Sequence, residues 1–399
     1  MTAPPSPLPA HPFPATRPAR LVDGTLRRQR PYRSSHPLAI PRTSLALDLI
    51  RAYGAVADGE LVKARIAAPD ELAWFHTPEY LAALRAAEAG GGFARGDRER
   101  FGLGNLENPY FEQIYTIPAT ATGGSIVAAE ALLAGRVAFN PAGGMHHARA
   151  GSAQGFCYFN DPVLAILRLK RAGLRVAYVD LDAHHCDGVE AAFADDPDVL
   201  TLSLHMDTRY AYPFRGGRLE DAGSARAGHT TINVPLPAGT HDDEYRLVFD
   251  AVWPRALERF APDAIVLQAG ADAIFADPLG KLGLSTQGFL DICARVIDAA
   301  PRHPDGTPKL MATGGGGYHP LVVARAWTGL WGLLSGRNLP EAIDAVGRAA
   351  LQAAAWSQDE DKPHFPRFFE SRMDALEAGP VRDEFRELAR AARAHPLMG

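Results

Sequence analysis

The chain has 399 residues, of which 47% are hydrophobic and 22% charged, and its formal net charge is −5. This composition is typical of a soluble globular protein with a large core. The slightly acidic balance argues against a nucleic-acid-binding body, which usually has a basic excess. No apolar run reaches the roughly 18 residues of a membrane span, so we expect neither a nucleic-acid nor a membrane partner.

The N-terminal segment differs from the rest of the chain. Residues 1–20 contain seven prolines and lack the apolar stretch of a secretory signal. We therefore predict a Pro-rich, flexible arm over residues 1–20 and a single domain over residues 21–399.

Cysteine usage indicates the redox environment of the protein. The chain has three cysteines, Cys157, Cys186 and Cys293. An odd and sparse set does not make a disulfide framework, and a reducing compartment is the default for such a chain. We therefore expect a cytoplasmic location.

Strand-like and helix-like segments alternate along the chain. Short apolar runs predict strands over residues 136–140, 175–181, 199–204, 230–234, 264–268 and 310–313. Longer amphipathic or apolar segments predict helices over residues 43–53, 78–87, 119–133, 161–172, 243–260, 286–299 and 321–334, and residues 380–394 resemble an amphipathic helix. Because the strands are almost continuously apolar, we predict an α/β fold with a mainly parallel sheet covered by helices.

Polar or glycine-rich segments follow four of the predicted strands. In open parallel sheets, sites gather at the carboxyl ends of the strands. One shared pocket is therefore the simplest account of the four segments, which begin after Asn140, Val179, Gln268 and Thr313.

Residues 180–187 give the strongest chemical signal, with three aspartates and two histidines among eight residues. If the chain stays extended there, Asp180, Asp182 and His184 share one face and offer two carboxylates and an imidazole to a divalent metal. Only this cluster predicts a metal site by itself.

The other three segments are weaker signals when taken singly. An isolated pair such as His146 and His147 is more often structural than catalytic, and an isolated Asp272 more often caps a helix. Glycines 314–317 lack the Lys-Ser/Thr of a phosphate-binding loop, so they favour a close approach of backbone to a narrow pocket.

Taken in order, the motifs resemble the zinc-dependent histone deacetylase family, which includes acetoin-utilisation deacetylases and acetylpolyamine amidohydrolases. The resemblance runs from about His36 to about Leu334 and implies the arginase/deacetylase fold. It rests on His36-Pro37 with Arg42, Glu107-Asn108-Pro109, the Gly-Gly-Met-His-His-Ala of residues 143–148, the Gly-Phe-Cys-Tyr-Phe-Asn-Asp of residues 155–161, the Asp-Leu-Asp-Ala-His-His of residues 180–185, Ser203-Leu204-His205, Gly270-Ala271-Asp272 and the Gly-Gly-Gly-Gly-Tyr of residues 314–318.

The resemblance implies a role for each reactive side chain. Asp182, His184 and Asp272 would hold one zinc ion. His147 would be the general base, with His146 as the neighbouring imidazole that stabilises charge. Three further residues would assist them: Asp180 orients His146, Asp187 orients His147, and Tyr318 donates its hydroxyl to the oxyanion.

The resemblance also implies the pocket and a second ion. The substrate tunnel would be formed by Gly155, Phe156 and Tyr212, and relatives usually have Phe at the position of Tyr212. Glu107 would lie at the rim, where relatives often have Asp. Arg42 would line the cavity that receives the acetate product. A structural potassium ion would be bound by Ser203 and by backbone oxygens of Asp180, Asp182, His184 and Leu204. Cys186 replaces a usual glycine, and we expect a small buried residue there.

The resulting hypothesis is a metal-dependent amidohydrolase that removes acyl groups, chiefly acetyl, from lysine-like amines. Three alternatives remain open at this point. An acetylpolyamine amidohydrolase would need acidic residues gathered at the tunnel mouth, and an arginase-type ureohydrolase would need more bridging aspartates. A non-catalytic scaffold would retain the fold without activity.

Overall fold

The structure is a computed structural model that describes residues 13–24, 36–354, 365–374 and 379–399. Residues 1–12 of the predicted Pro-rich arm lie outside the described residues. The remainder of that segment contacts the body of the protein. The backbone N–H of Thr16 donates to the carbonyl of Ser335 at 3.1 Å, and the first strand begins at Ala19.

The centre of the fold is an eight-stranded sheet in which every pairing is parallel. The strands are β1 (Ala19–Asp23), β2 (Leu61–Lys63), β3 (Val137–Asn140), β4 (Val176–Asp180), β5 (Val199–Met206), β6 (Thr231–Leu236), β7 (Ala264–Gln268) and β8 (Leu310–Thr313). They lie in the order β2-β1-β3-β8-β7-β4-β5-β6. The predicted parallel sheet is therefore confirmed, and all six predicted strands are present.

The two strands at one edge of the sheet, β1 and β2, were not predicted. β1 directly follows the Pro-rich stretch, and β2 has three residues, none of them buried. β2 is too short to show a distinct apolar run. In β1, Ala19, Leu21 and Val22 are buried, but Arg20 and Asp23 interrupt the apolar run.

The helices cover the sheet much as predicted. They are α1 (Arg42–Ala52), α2 (Pro69–Leu72), α3 (Pro78–Gly90), α4 (Arg95–Phe101), α5 (Thr116–Leu133), α6 (Asp161–Lys170), α7 (Asp187–Phe193), α8 (Asp242–Phe260), α9 (Thr286–Ala299), α10 (Pro320–Ser335), α11 (Ala345–Gln352) and α12 (Asp383–Ala392). The predicted helices are all present, and the short helices α2, α4, α7 and α11 were missed. Within the described ranges, no helix combines the length and apolarity needed to cross a bilayer.

Alternate residues of each strand face opposite layers of the core. In β4, Ala177 and Val179 join the cluster that contains α1, α8, α9 and α10. Val176 and Tyr178 join the cluster formed with α5, α6 and α7. Burial on both faces explains why the strands are apolar throughout, since a parallel sheet covered by helices has no solvent face.

The order of the strands determines where the polar loops meet. β3, β8, β7 and β4 are consecutive neighbours in the sheet. These are the four strands followed by the histidine loop, the glycine loop, Asp272 and the acidic cluster. Because all four run parallel, their carboxyl ends open onto the same edge, and the four loops converge there.

A core truncation in β7 tests this packing. Leu267 is fully buried, so Leu267→Ala should lower the free energy of unfolding by about 2–5 kcal/mol through lost burial and the cavity left behind. Leu106, which is 95% exposed, provides the matched control, and Leu106→Ala should change it by less than about 0.5 kcal/mol. Urea unfolding of both variants measures the difference, and equal effects would contradict the described core.

Candidate active site

Three side chains from two strand ends form a compact ligand cluster. Asp182 and His184 follow β4, and Asp272 lies in a single 3₁₀ turn, Ala271–Ala273, after β7. One ligand atom from each residue lies within 4.8 Å of the others. Asp180 is not part of this cluster, and the extended chain on which its grouping with Asp182 and His184 depended is not present. The strand ends at Asp180, and the chain turns immediately after it.

Backbone amides hold both carboxylates of the cluster in place. The N–H of Gly316 donates to Oδ2 of Asp182 at 2.6 Å, and the N–H of Ala183 donates to Oδ1 of Asp272 at 2.9 Å. A Cβ atom at Gly316 would lie 2.0 Å from Oδ2 of Asp272. The predicted close approach of the glycine loop is therefore confirmed, and a larger residue at Gly316 would displace the carboxylates.

The cluster carries more negative charge than its own imidazole balances. Nδ1 of His184 lies 2.9 Å from Oδ2 of Asp272 and 3.2 Å from Oδ1 of Asp182. Burial opposes the charged imidazolium, yet the two carboxylates prevail and raise the pKa of His184 to about 10. Burial and the charge of Asp182 raise the pKa of Asp272 to about 7. Protons thus occupy a site whose nitrogen and oxygen donors fit a divalent cation such as zinc.

The two histidines after β3 are buried and each lies against a carboxylate. Nδ1 of His146 is 2.8 Å from Oδ2 of Asp180, and Nδ1 of His147 is 2.8 Å from Oδ1 of Asp187. The two Nε2 atoms are 3.0 Å apart. Since the partner of Nδ1 determines the tautomer, each Nδ1 faces its carboxylate, and the two Nε2 atoms face each other on the pocket side.

The two imidazoles have opposite pKa shifts. Burial opposes the charged form of His146, but Asp180 and Asp182 outweigh it and raise the pKa to about 9. Burial and the neighbouring His146 lower the pKa of His147 to about 3, although Asp187 acts in the other direction. The pair therefore combines one cationic ring with one neutral ring at neutral pH, and the neutral ring can accept a proton.

Several buried polar side chains to which the sequence analysis assigned no role hold the histidine loop. Asp161 accepts the backbone N–H groups of Gly144 and Met145 at 2.8–3.0 Å. The amide of Gln268 donates to the carbonyl of Gly144 at 2.9 Å. Asn160 and Asp161 belong to the conspicuous motif of residues 155–161, which could have indicated a role for them. Gln268 is the last residue of a predicted strand.

The carboxylate of Asp187 has partners on both oxygens. Oδ2 accepts from Nη2 of Arg149 at 2.7 Å and from Nε2 of Gln154 at 2.6 Å. Sequence reasoning missed Arg149 and Gln154, because neither has a distinctive neighbour in the chain. Burial raises the pKa of Asp187, but the hydrogen bond from His147 lowers it more. The pKa therefore lies below the usual range, and Asp187 remains charged.

Aromatic rings and a strained turn surround the entrance to the cluster. The ring of Phe156 lies 6.0 Å from that of Tyr318, and the ring of Tyr212 lies 4.8 Å from that of His147. Gly155 has a φ of +53°, and a Cβ atom there would lie 2.5 Å from the His147 ring. Glycine is therefore required at this position. The pocket is lined by Leu38, Arg42, Gly144, Met145, His146, His147, Gly155, Phe156, Cys157, Asp182, His184, Gly315, Gly316 and Tyr318.

The remaining predicted residues lie around this pocket. Arg42 donates from Nη1 to the carbonyls of Gly315 and Gly317, at 2.6 and 3.2 Å. Oε2 of Glu107 accepts the N–H of Gly155 at 3.3 Å, which places this side chain beside the tunnel wall. Burial raises the pKa of Tyr318, so its hydroxyl remains a proton donor.

Two residues of the predicted potassium site are neighbours across the sheet. Asp180 and Ser203 are paired in register between β4 and β5, and Leu204 follows on β5. Oγ of Ser203 lies 2.8 Å from Nδ1 of His205. The three cysteines are buried and free, and Cys186 is 1% exposed, as expected for a small buried residue.

Comparison with known proteins identifies the class to which this site belongs. The sequence pattern of the histone deacetylase domain family matches residues 36–334, and the chain belongs to this family. The family consists of hydrolytic deacetylases that depend on zinc.

Individual relatives agree with this assignment. The chain is 39% identical to histone deacetylase 8 of Xenopus tropicalis over 304 residues, which cover 76% of this chain and 80% of that protein. It is 36% identical to the acetoin utilization protein AcuC of Bacillus subtilis, with 77% and 81% coverage. The crystal structure of a histone deacetylase homologue from Aquifex aeolicus has a TM-score of 0.88 and 38% identity, covering 95% of this chain and all of that one. The arginase/deacetylase fold is thereby confirmed.

Proton release on zinc binding tests the charge balance of the cluster. His184 should lose a proton when zinc binds, because a ligating imidazole is neutral and its pKa is about 10 without the ion. Zinc affinity should therefore rise with pH. Calorimetric titration of metal-free protein in buffers of different ionisation enthalpy measures the proton count.

Two variants control this experiment. His184→Ala should weaken zinc binding strongly, whereas His303→Ala, at the turn before β8, should leave affinity and proton release unchanged. Zinc binding without any proton release would contradict the charge balance described for the cluster.

Proposed function

We propose that the protein is a zinc-dependent amidohydrolase that deacetylates N-acetyl-lysine-type amines. The observation that supports this best is the convergence, in one pocket, of the Asp182–His184–Asp272 cluster, the two carboxylate-paired histidines and Tyr318. A metal ligand set, a base and an oxyanion donor are the three components that amide hydrolysis by activated water needs.

Asp182, His184 and Asp272 would hold the zinc ion. The two carboxylates balance the 2+ charge of the ion, and three protein ligands leave positions for water and substrate. When bound, zinc supplies Lewis acidity, which polarises the amide carbonyl and makes water more acidic. The excess negative charge at these three residues supports this assignment.

The histidine pair would handle protons. His147, neutral because burial and His146 lower its pKa, would accept the proton of the attacking water at Nε2 and pass it to the leaving amine. Asp187 fixes its tautomer from Nδ1. His146, held by Asp180 and cationic at neutral pH, would stabilise negative charge that develops next to it.

Tyr318 would share the oxyanion with the metal. Tyr318 is one of the residues that line the pocket, and its hydroxyl stays protonated because burial raises its pKa. A fixed hydrogen-bond donor of this kind acts mainly on the transition state, since charge on the carbonyl oxygen develops only there.

The pocket would bind a slender, unbranched stem that ends in the acyl group. Phe156 and Tyr212 offer aromatic walls, and Gly155 keeps the passage open beside His147. Arg42 would bind the acetate product as an anion, and Glu107 would contact the substrate at the rim. An acetylated lysine side chain has this shape and polarity.

The charges near the mouth favour a lysine-type substrate over a polyamine. A polycation needs unengaged carboxylates, but Asp187, which lies against His147, is bound by Arg149 and Gln154. Arg215 adds an exposed cation next to Gln154. Glu107 is a partly exposed carboxylate beside the pocket, and it accepts the N–H of Gly155.

We further propose a structural potassium ion next to the zinc site. The ligands would be Ser203 and backbone oxygens of Asp180, Asp182, His184 and Leu204. The in-register pairing of Asp180 with Ser203 supports this, because it brings the end of β4 beside Ser203 in the middle of β5.

Substitution of the catalytic groups tests the proposed mechanism. His147→Ala and Tyr318→Phe should each lower kcat on an acetyl-lysine peptide by about 10²–10³-fold, through loss of a base or of an oxyanion donor. Zinc content should be unchanged in both. Asp182→Ala should lose zinc and activity together.

The matched control is Tyr210→Phe, which removes the same hydroxyl group from an 81% exposed ring and should leave kcat unchanged. Deacetylase activity that survives Asp182→Ala, or no activity on any acylated amine with zinc present, would refute the proposed function.

Substrate choice tests the assignment of the mouth. The wild-type enzyme should have a kcat/KM at least tenfold higher on an acetyl-lysine peptide than on acetylspermidine, because the exposed guanidinium of Arg215 repels a polycation. Arg215→Glu should narrow this ratio, whereas Arg259→Glu, an exposed site near the end of α8, should not. A preference for acetylspermidine would favour the polyamine alternative.

A further inference from the structure

Asp277 is a buried carboxylate that the proposed mechanism does not use. It is 5% exposed and lies on the loop between Asp272 and α9. Its Oδ1 accepts the backbone N–H groups of Leu279 and Gly280, both at 2.9 Å. Its Oδ2 accepts the backbone N–H of Tyr318 at 2.6 Å. One side chain therefore joins a tight turn on its own loop to the backbone of the oxyanion donor.

Tyr318 needs such an anchor because of the segment that precedes it. Gly315 and Gly317 have φ values of +135° and +132°, a region that favours glycine. Arg42 holds the carbonyls of both glycines, and Asp182 holds the N–H of Gly316. Asp277 extends this series of contacts by one residue, to the position that carries the reactive hydroxyl.

The other end of the Asp277 turn is seated on a zinc ligand. A Cβ atom at Gly280 would lie 1.8 Å from the carbonyl oxygen of Asp272, so the backbone of the turn packs directly against this residue. The same carboxylate thus binds the backbone N–H of Gly280, which packs against Asp272, and the backbone N–H of Tyr318. Asp277 thus adds a side-chain link between the Tyr318 backbone and the turn that packs on Asp272, beside the backbone bond from Ala271 to Gly316.

We propose that Asp277 is a positioning residue for deacetylation, which holds the Tyr318 backbone at the distance from Asp272 that oxyanion stabilisation requires. The inference rests on the proposed function of Tyr318. Asp277 itself touches neither substrate nor metal. It acts through Tyr318, so its removal should matter only while the Tyr318 hydroxyl is present.

A carboxylate is needed because three backbone donors converge on two oxygens. An asparagine side chain has a single oxygen, so Asp277→Asn can accept either from Leu279 and Gly280 or from Tyr318. In either orientation its NH2 group faces at least one backbone N–H, and the two donors repel each other. The substitution keeps the size of the side chain and removes one arm of the link.

A double-mutant cycle tests the proposal. Asp277→Asn should lower kcat by about 10–100-fold through displacement of the hydroxyl, with KM and zinc content within about threefold of wild type. In a Tyr318→Phe background the same substitution should change kcat by less than about twofold, since the group it positions is gone. Equal effects in both backgrounds, or a loss of zinc, would assign Asp277 a merely structural role.

Hydrogen exchange provides a readout that does not depend on activity. Peptides that cover residues 314–322 should exchange faster in Asp277→Asn than in wild type. Asp305→Asn is the matched control, because Asp305 accepts the N–H of Thr307 in an exposed turn before β8. Unchanged exchange in Asp277→Asn would overturn the positioning role. An inactive wild type with faster exchange in the variant would instead refute the proposed function alone.

Discussion

Buried negative charge at the carboxyl end of β4 is the constraint on which the site depends. Asp180, Asp182 and Asp187 are all less than 5% exposed within eight residues, and Asp272 joins them from β7. Carboxylates that leave water need charge-bearing or hydrogen-bonding partners, or they become protonated. The surrounding loops supply imidazoles, one guanidinium and backbone amides, and in the cluster around His184 these still fall short by the charge of a cation. This shortfall makes Asp182, His184 and Asp272 a candidate site for a divalent cation.

Backbone N–H groups are the partners that give the site its rigidity. Asp161, Asp182 and Asp277 each accept amide hydrogens from a loop that has no regular secondary structure. A loop rich in glycine is entropically costly to fix, but each such charge-assisted hydrogen bond is stronger than one between neutral groups. Glycine is also what lets the backbone come this close, as Gly316 against Asp272 shows. The glycine-rich loops therefore allow the backbone to approach the carboxylates closely, and the resulting hydrogen bonds make the site rigid.

The sequence predicted the central features because each had a local signal. Apolar runs located β4, β7 and β8, and residue types after them located the reactive loops. What the sequence lacked was information on how the chain turns. Asp180 was grouped with the metal ligands on the assumption of an extended chain, whereas β4 ends there. Gln154 and Asp277 act through contacts 33 and 41 residues away in sequence, which no local pattern reveals.

The sheet order explains why these distant contacts converge. β8 and β7 come late in the chain but lie between β3 and β4, so the glycine loop and Asp272 are inserted between the histidine loop and the acidic cluster. Every reactive group therefore has a neighbour from another strand end. A site of this kind tolerates little independent movement of its loops, because each carboxylate that orients a reactive group is shared with a second loop. Its chemistry is consequently a property of the strand order as much as of the residues themselves.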